Sequence, residues 1–446
     1  MSPSEREARL LEIGQGLVRT SAADETEVLL GDGRAFLTRF SRNRIHQNVG
    51  TEEAWAVVRV TAQKRVGVAT ASSLAPRDLA GALESALAIA RVTEPVEDWP
   101  GLPGPHPVRA ADAYDEATAA DPPDARADRV AALVAEAAAR RGEAAGALET
   151  DDRTMAVVNS RGVAVAASRT RATLHTVVTC EDGSGYAEAC AGSVGDLDAA
   201  RVGRVAARRA AASRKPQPLP PGRYDVVLEP AAAAEWVQFL SYMAFSGKLY
   251  DEGQSPLCGK LGARVTGEAI TLWDDACNKR GLPEPFDFEG MPARRTVLVD
   301  RGIAKAVATN TYRARRLGKR RSTGHALPAS TSYECIPMHL FMRGGRESRR
   351  SLLAGLGRGL LVTRFHYTNI LDPMKTVLTG MTRDGTFLVE DGRVVGPVRN
   401  LRYTENVLEA LGRADGLSRE RVLVRGPCVV PAMRVRGVQF TGTTEF

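Results

Sequence analysis

Two stretches decide the reading: QSPLCGKLGARV at residues 254–265 and EGMPARRTVLVDRGIAKAVATNTYRARRLGKRRSTGHA at 289–326. The first opens on a Ser255–Pro256 turn and is punctuated by Gly259 and Gly262. In the second, Thr296 to Val299 and Ile303 to Val307 are β-rich runs joined by Asp300-Arg301-Gly302, which predicts a hairpin. A strongly basic segment, Tyr312 to Arg321, follows it, and then a Ser-Thr-Gly-His turn at 322–325.

Outward from that core, the 446 residues exceed what one hydrophobic core usually serves, so two or three domains are expected. A hydrophobic content of 43% leaves ample material to bury. The net charge of +7 is modest for this length, and only Tyr312 to Arg321 is dense enough to suggest a polyanion, so nucleic acid is not the expected partner. The N-terminal MSPSEREARLLEIG lacks the apolar region of a secretory signal, and no run of 18 apolar residues predicts a membrane span. The six cysteines (180, 190, 258, 277, 335, 428) fit neither a disulfide framework nor a CxxC metal site. The expected compartment is the cytoplasm.

Taken in order, residues 5–20 have helical spacing, and Glu27–Leu30 and Arg34–Thr38 flank a Gly-Asp-Gly that predicts a hairpin turn. Strands are expected at Ala54–Thr61 and Val66–Thr70, then a helix with Leu79, Leu83, Ala86, Leu87 and Ala90 on its apolar stripe. Pro and Gly rule out regular structure across 95–108. A helix at Ala125–Arg141 precedes strands at Met155–Asn159, Val163–Ala167 and Ala172–Thr179, the first two joined by an Asn159-Ser160-Arg161-Gly162 turn. A helix at Arg201–Ser213 ends at the proline run of 215–221, the clearest boundary in the chain. Beyond it come a GRYDVVL strand (222–228) and a helix from Pro230, with Trp236, Phe239, Leu240 and Met243 at i, i+3, i+4, i+7. Short β runs are expected at 359–363, 385–390, 393–398 and 422–424, a short helix at Asn400–Leu411, and a terminal strand. The expected class is α+β: an N-terminal antiparallel sheet with helices, formed by segments 1–94 and 109–214, and a β-rich C-terminal domain at 222–446 with a partly closed sheet.

These pieces, in this order, resemble the TldD/PmbA family. The resemblance is carried by RVGVATASSLAPRDLAGALESALAIAR (65–91), NSRG (159–162), SPLCGKLG (255–262), EGMPARRTVLVDRG (289–302), YRARRLGKRRSTG (312–324), GLLVT (359–363), GTFLVEDGRVVGPV (385–398) and MRVRG (433–437). In that family the TldD-like subunit of a zinc peptidase carries HExxxH on the helix after the VVL strand, which puts two imidazoles on one metal beside a carboxylate base. Here that frame reads Gln238-Phe239-Leu240-Ser241-Tyr242-Met243. Phe239 has no proton chemistry and Met243 is a poor zinc ligand. The resemblance is therefore to the TldE (PmbA) subunit. It implies a metal-free chain with no catalytic residue of its own, zinc residing in a TldD-like partner, and extended or unfolded peptides as substrate.

His366-Tyr367-Thr368-Asn369, after the GLLVT strand, predicts a protruding loop. The resemblance places it near a peptide cleft, so His366, Tyr367 and Asn369 are candidate contacts to peptide or partner. Arg313 and Arg316 of the basic segment are candidates for the same role, against the plain reading of a solvated charged face. Two rival functions remain open at this point. One is a stand-alone peptide-binding or scaffold protein, with self-pairing as a homodimer the alternative to a TldD-like partner; the other is a peptidase with a relocated metal held by His325, His339 or His366 with Cys428.

Overall fold

The computed structural model describes residues 1–443. Helix α1 (Pro3–Thr20) starts on a capping box in which Ser2 and Glu5 satisfy each other's backbone N–H groups. Strands β1 (Glu25–Ser41), β2 (Arg44–Ala62) and β3 (Arg65–Ala71) form an antiparallel meander, and α2 (Pro76–Val92) packs back on it. Both turns of the meander are two-residue connections, Arg42-Asn43 and Gln63-Lys64, with every central φ between 50° and 61°. After α3 (Glu116–Ala119) and α4 (Pro123–Ala138) come β4 (Glu143–Asn159), β5 (Ala164–Cys180), β6 (Gly183–Ala191) and α5 (Ala199–Ala212). The six strands make one antiparallel sheet in the order β3-β2-β1-β4-β5-β6. Leu10, Leu83 and Ala86 of α1 and α2 bury against β1 and β2, while Leu133 of α4 and Ala206 and Ala210 of α5 bury against β4 to β6.

The expected hairpin at Gly31-Asp32-Gly33 is not a turn. β1 runs straight through it, paired with β2 on one side and β4 on the other. The glycines serve close packing instead: a Cβ on Gly31 would lie 2.3 Å from the Trp55 indole, and one on Gly33 2.5 Å from the carbonyl of Asp152. The expected strands at 163–167 and 172–179 are likewise one strand, β5. The Asn159–Gly162 turn is present, with Gly162 at φ 95°. Asn159 caps it through Oδ1, which accepts from the N–H groups of Arg161 and Val163, and ties it to the proline-rich linker by donating to the carbonyl of Pro103.

The C-terminal part follows β7 (Gly222–Leu228) with α6 (Pro230–Met243) and α7 (Gly247–Asp251), then β8 (Leu272–Asp274), β9 (Thr296–Asp300), β10 (Ile303–Ala304), α8 (Thr311–Arg316), β11 (Leu340–Met342) and α9 (Arg349–Ala354). It ends with β12 (Arg358–Asp372), β13 (Val377–Glu390), β14 (Arg393–Pro397), β15 (Leu401–Asn406), α10 (Val407–Gly412), β16 (Ala414–Val424) and β17 (Cys428–Thr443). The sheet runs β10-β9-β8-β11-β17-β15-β13-β12-β7, and β17 also pairs with β7, so five strands close into a ring. Helix α6 packs on β12 and β17 of that ring. Its Trp236 is fully buried and stacks on Phe365 at 5.5 Å. The expected helix at 400–411 divides in two: Leu401, Tyr403 and Glu405 alternate inward as strand β15, and the helix begins only after Asn406, whose side chain accepts from the N–H of Glu409. Among the described residues no helix is long and apolar enough to cross a membrane.

Candidate functional site

Helix α6 presents its apolar stripe to the core and its polar edge to the turn between β16 and β17. Trp236, Leu240 and Met243 are buried, and Phe239 packs half-buried against the same core. Gln238, in the first position of the six-residue frame, donates its Nε2–H groups to the carbonyls of Gly426 (2.7 Å) and Arg425 (3.3 Å). An amide committed to two carbonyls, a phenyl ring and a core methionine do not fit a zinc site. Cys428 is fully buried at the head of β17, and burial alone pushes its thiol far up. Among the described residues no group of three or more His, Cys, Asp or Glu side chains could hold a metal.

Around the polar edge of α6 four segments bring charge together. Arg425, beside Gln238's partner, sits 3.1 Å from Nδ1 of His175 on β5. Burial, with Arg425, Arg364 and Arg39 nearby, lowers the pKa of His175 to about 4, so it is neutral at pH 7 and Nδ1 accepts. On β6, Tyr186 donates to Glu188 at 2.7 Å, and burial raises the Glu188 pKa. Arg364 of β12 lies 4.2 Å over the Tyr186 ring and pairs with Asp384. Glu235 of α6 is also raised by burial, against a hydrogen bond from Thr368. None of Arg364, Arg425, His175, Glu188 and Glu235 was indicated by the sequence, because they come from five separated segments with no shared spacing.

The stretch 366–369 lies inside β12 instead of forming a loop. The pairing with β13 slips by one residue between His366 and Asn369, a bulge that leaves Tyr367 at φ 57° and 76% exposed. Thr368 turns inward, its hydroxyl 2.9 Å from that of Tyr403, while the Asn369 amide donates back to the carbonyl of Tyr367. The basic segment divides. Arg313, on α8, is buried and donates to Asp251, Glu252 and Glu334 at 2.7–2.8 Å. Arg316 pairs with Asp98 and Asp251. These two guanidiniums clamp α8 to α7 and to the 95–99 linker.

His325 and His339 belong to a different, buried cluster. His325 Nε2 is 3.0 Å from Asp274 Oδ1, and the backbone N–H of His339 donates to Asp274 Oδ2 at 2.7 Å. Burial opposes a charge on His325, but Asp274 outweighs it and the pKa is raised. Next to it lie Asp287, Glu289, Arg59 and Glu27: three carboxylates with one guanidinium. Arg59 is 2.8 Å from Glu27 and 3.1 Å from Glu289. Burial lifts the pKa of Glu27 to about 7, and burial followed by Glu289 lifts that of Asp287. Each of these raised groups holds its proton to higher pH in the folded chain than in the unfolded one. Their contribution is therefore complete below about pH 4.5 for the carboxylates and is lost as pH rises through about 7. Denaturation in urea should show stability falling by about 1–3 kcal/mol between pH 5 and pH 8 from this cluster, a slope that Glu27→Gln reduces.

Comparison with known proteins follows the same chain order. Three family models match: PmbA/TldA metallopeptidase domain 1 over residues 26–90, the central domain over 109–214 and the C-terminal domain over 221–442. A metalloprotease of Methanothermobacter thermautotrophicus is 28% identical over 61% of this chain and 62% of its own length, so the chain spans about three-fifths of that relative. Metalloprotease PmbA of Escherichia coli O157:H7 is 26% identical over 84% of both chains. TldE from Thermococcus kodakarensis superposes with a TM-score of 0.87 at 23% identity, covering 98% of this chain and 99% of that one. A protein of Thermotoga maritima described as a putative modulator of a DNA gyrase superposes at 0.85 with 19% identity, over 98% of this chain and all of that one.

Proposed function

The chain belongs to the PmbA/TldD metallopeptidase family, and from that premise we propose that it is a TldE-like, metal-free subunit of a two-chain zinc peptidase. In this reading a TldD-like partner holds the zinc and cuts, and this chain completes the site that admits extended or unfolded peptides. The observation that carries it is the donor set on α6: Gln238 spent on the Arg425 and Gly426 carbonyls, Phe239 packed on the core, and Met243 buried. The polar seam of Arg364, Arg425, neutral His175 and Glu188 supplies hydrogen-bonding groups suited to a peptide backbone. His366, Tyr367 and Asn369, raised on the β12 bulge, are its outward contacts to peptide or partner. Arg313 and Arg316 act one step back, by fixing α8.

The test is metal content and peptidase activity of the purified chain, alone and co-expressed with a TldD-like chain. Zinc below about 0.1 equivalent alone, with hydrolysis only in the complex, is the expected result, since a retained zinc site binds close to stoichiometrically. Tyr367→Ala with Asn369→Ala should weaken the complex's activity while leaving the fold intact. Hydrolysis by this chain alone would sink the reading, and failure to pair with any TldD-like chain would favour a stand-alone binder.

A further inference from the structure

On the side of the C-terminal sheet formed by β8, β9 and β16, a groove of about 490 Å³ is lined by Arg295, Arg343, Arg419 and Arg421 against one carboxylate, Asp300. None of these four arginines forms an ion pair among the described residues; Arg421 is half-buried and the other three are exposed. Arg280 adds a fifth positive charge close enough to lower the pKa of half-buried Arg421, which burial lowers first. Trp273 forms part of the wall. It is only 8% exposed and stacks on Phe341 at 5.6 Å, and its indole N–H has no hydrogen-bond partner among the described residues. The guanidiniums of Arg295 and Arg421 lie 4.9 Å and 5.9 Å from the centre of its ring. A guanidinium held by a ring face keeps its N–H edge available, which one held by a carboxylate does not. Arg419 spends one N–H on the carbonyl of Arg346 and keeps the rest.

We propose that this groove binds a short acidic segment of a polypeptide, two or three carboxylates reaching the Arg295–Arg343–Arg421 cluster. Bidentate pairing with carboxylate is what free guanidinium edges supply. The adjoining depression mixes signs: Glu268, Glu347 and Asp415 line it together with Arg301, Arg343 and Arg346. A peptide can alternate acidic, neutral and basic residues to match that pattern, which a uniformly charged polyphosphate chain cannot. The inference stands on the groove alone: it can fail with the two-chain peptidase reading intact, and the reverse.

The experiment is fluorescence polarisation with a labelled peptide holding three consecutive glutamates in a Gly/Ser/Lys background, its glutamine counterpart, and a single-stranded oligonucleotide of matched length. Saturable binding of the glutamate peptide that weakens with salt is expected. The doubly substituted R343E/R421E should bind about tenfold more weakly, and Arg343→Gln alone should shift binding in the same direction by less. R320E/R321E, the same charge change on the exposed segment after α8, should leave binding unchanged. The proposal is overturned by no saturable binding, by equal losses in the two double variants, or by preference for the oligonucleotide.

Discussion

Replacing Arg59 by methionine should lower the stability of the chain by about 3–5 kcal/mol, read as a fall in the urea midpoint at pH 8. Arg59 is 9% exposed at its side chain and, among the described residues, is the one guanidinium in ion-pair contact with Glu27 and Glu289. Glu27 belongs to β1 and Arg59 to β2, while Glu289 comes from the segment before β9 and also accepts from the backbone N–H of Thr311 at the start of α8. The guanidinium also lies 5.7 Å over Trp99 of the linker. One side chain thus joins the N-terminal sheet, the linker and the C-terminal part. Methionine keeps the volume and removes the charge, so two buried carboxylates lose their counter-ion beside Asp287. Glu27 can recover part of the loss by holding its proton, so the deficit should be smaller at pH 5 than at pH 8, and pairing the change with Glu27→Gln should restore part of it. A loss under about 1 kcal/mol at pH 8 would mean that water reaches the cluster and solvates its charges.

Very little of that network was legible in the sequence. Arg59 reads as one outward position in an alternating strand, and Glu289 as the first letter of a hairpin motif 230 residues away. Local pattern did carry what is local: the α6 stripe, the Asn159–Gly162 turn and the hairpin at 296–304 all follow from spacing and turn chemistry. Glycine misled where its cause was tertiary. Gly31 and Gly33 look like turn residues, but what requires them is the Trp55 ring from β2 and the Asp152 backbone from β4. The opposite error occurred at Tyr367, where a left-handed residue in a strand bulge carries no glycine or asparagine to announce it. The basic segment misled through partners: Arg313 looks like free charge until Asp251, Glu252 and Glu334 are brought around it. Conversely the arginines of the groove beside Trp273, which form no ion pair among the described residues, are scattered from 295 to 421 and form no basic run.

Trp236→Ala should cost about 3–5 kcal/mol, comparable to the Arg59 change but through packing instead of charge. Trp236 is wholly buried at the centre of α6, stacked on Phe365 at 5.5 Å and 12°, with Tyr403 at 6.1 Å. Phe365 and Tyr403 are themselves 4.3 Å apart, so the three rings form one unit between the helix and strands β12 and β15. Trp236→Phe should retain most of the stability. Gln238→Ala, which removes an amide from the turn at Arg425 and Gly426, should cost about 1 kcal/mol. The consequence reaches the surface. Phe365 is two residues from Tyr367, and Tyr403 holds the hydroxyl of Thr368 at 2.9 Å, so the ring unit seats the bulge on which Tyr367 is exposed. Removing the indole should therefore loosen that bulge and weaken assembly with a TldD-like chain by more than the loss of folded protein accounts for. Measuring complex formation at matched folded concentrations would check this, and an unchanged affinity would detach the bulge from the helix that supports it.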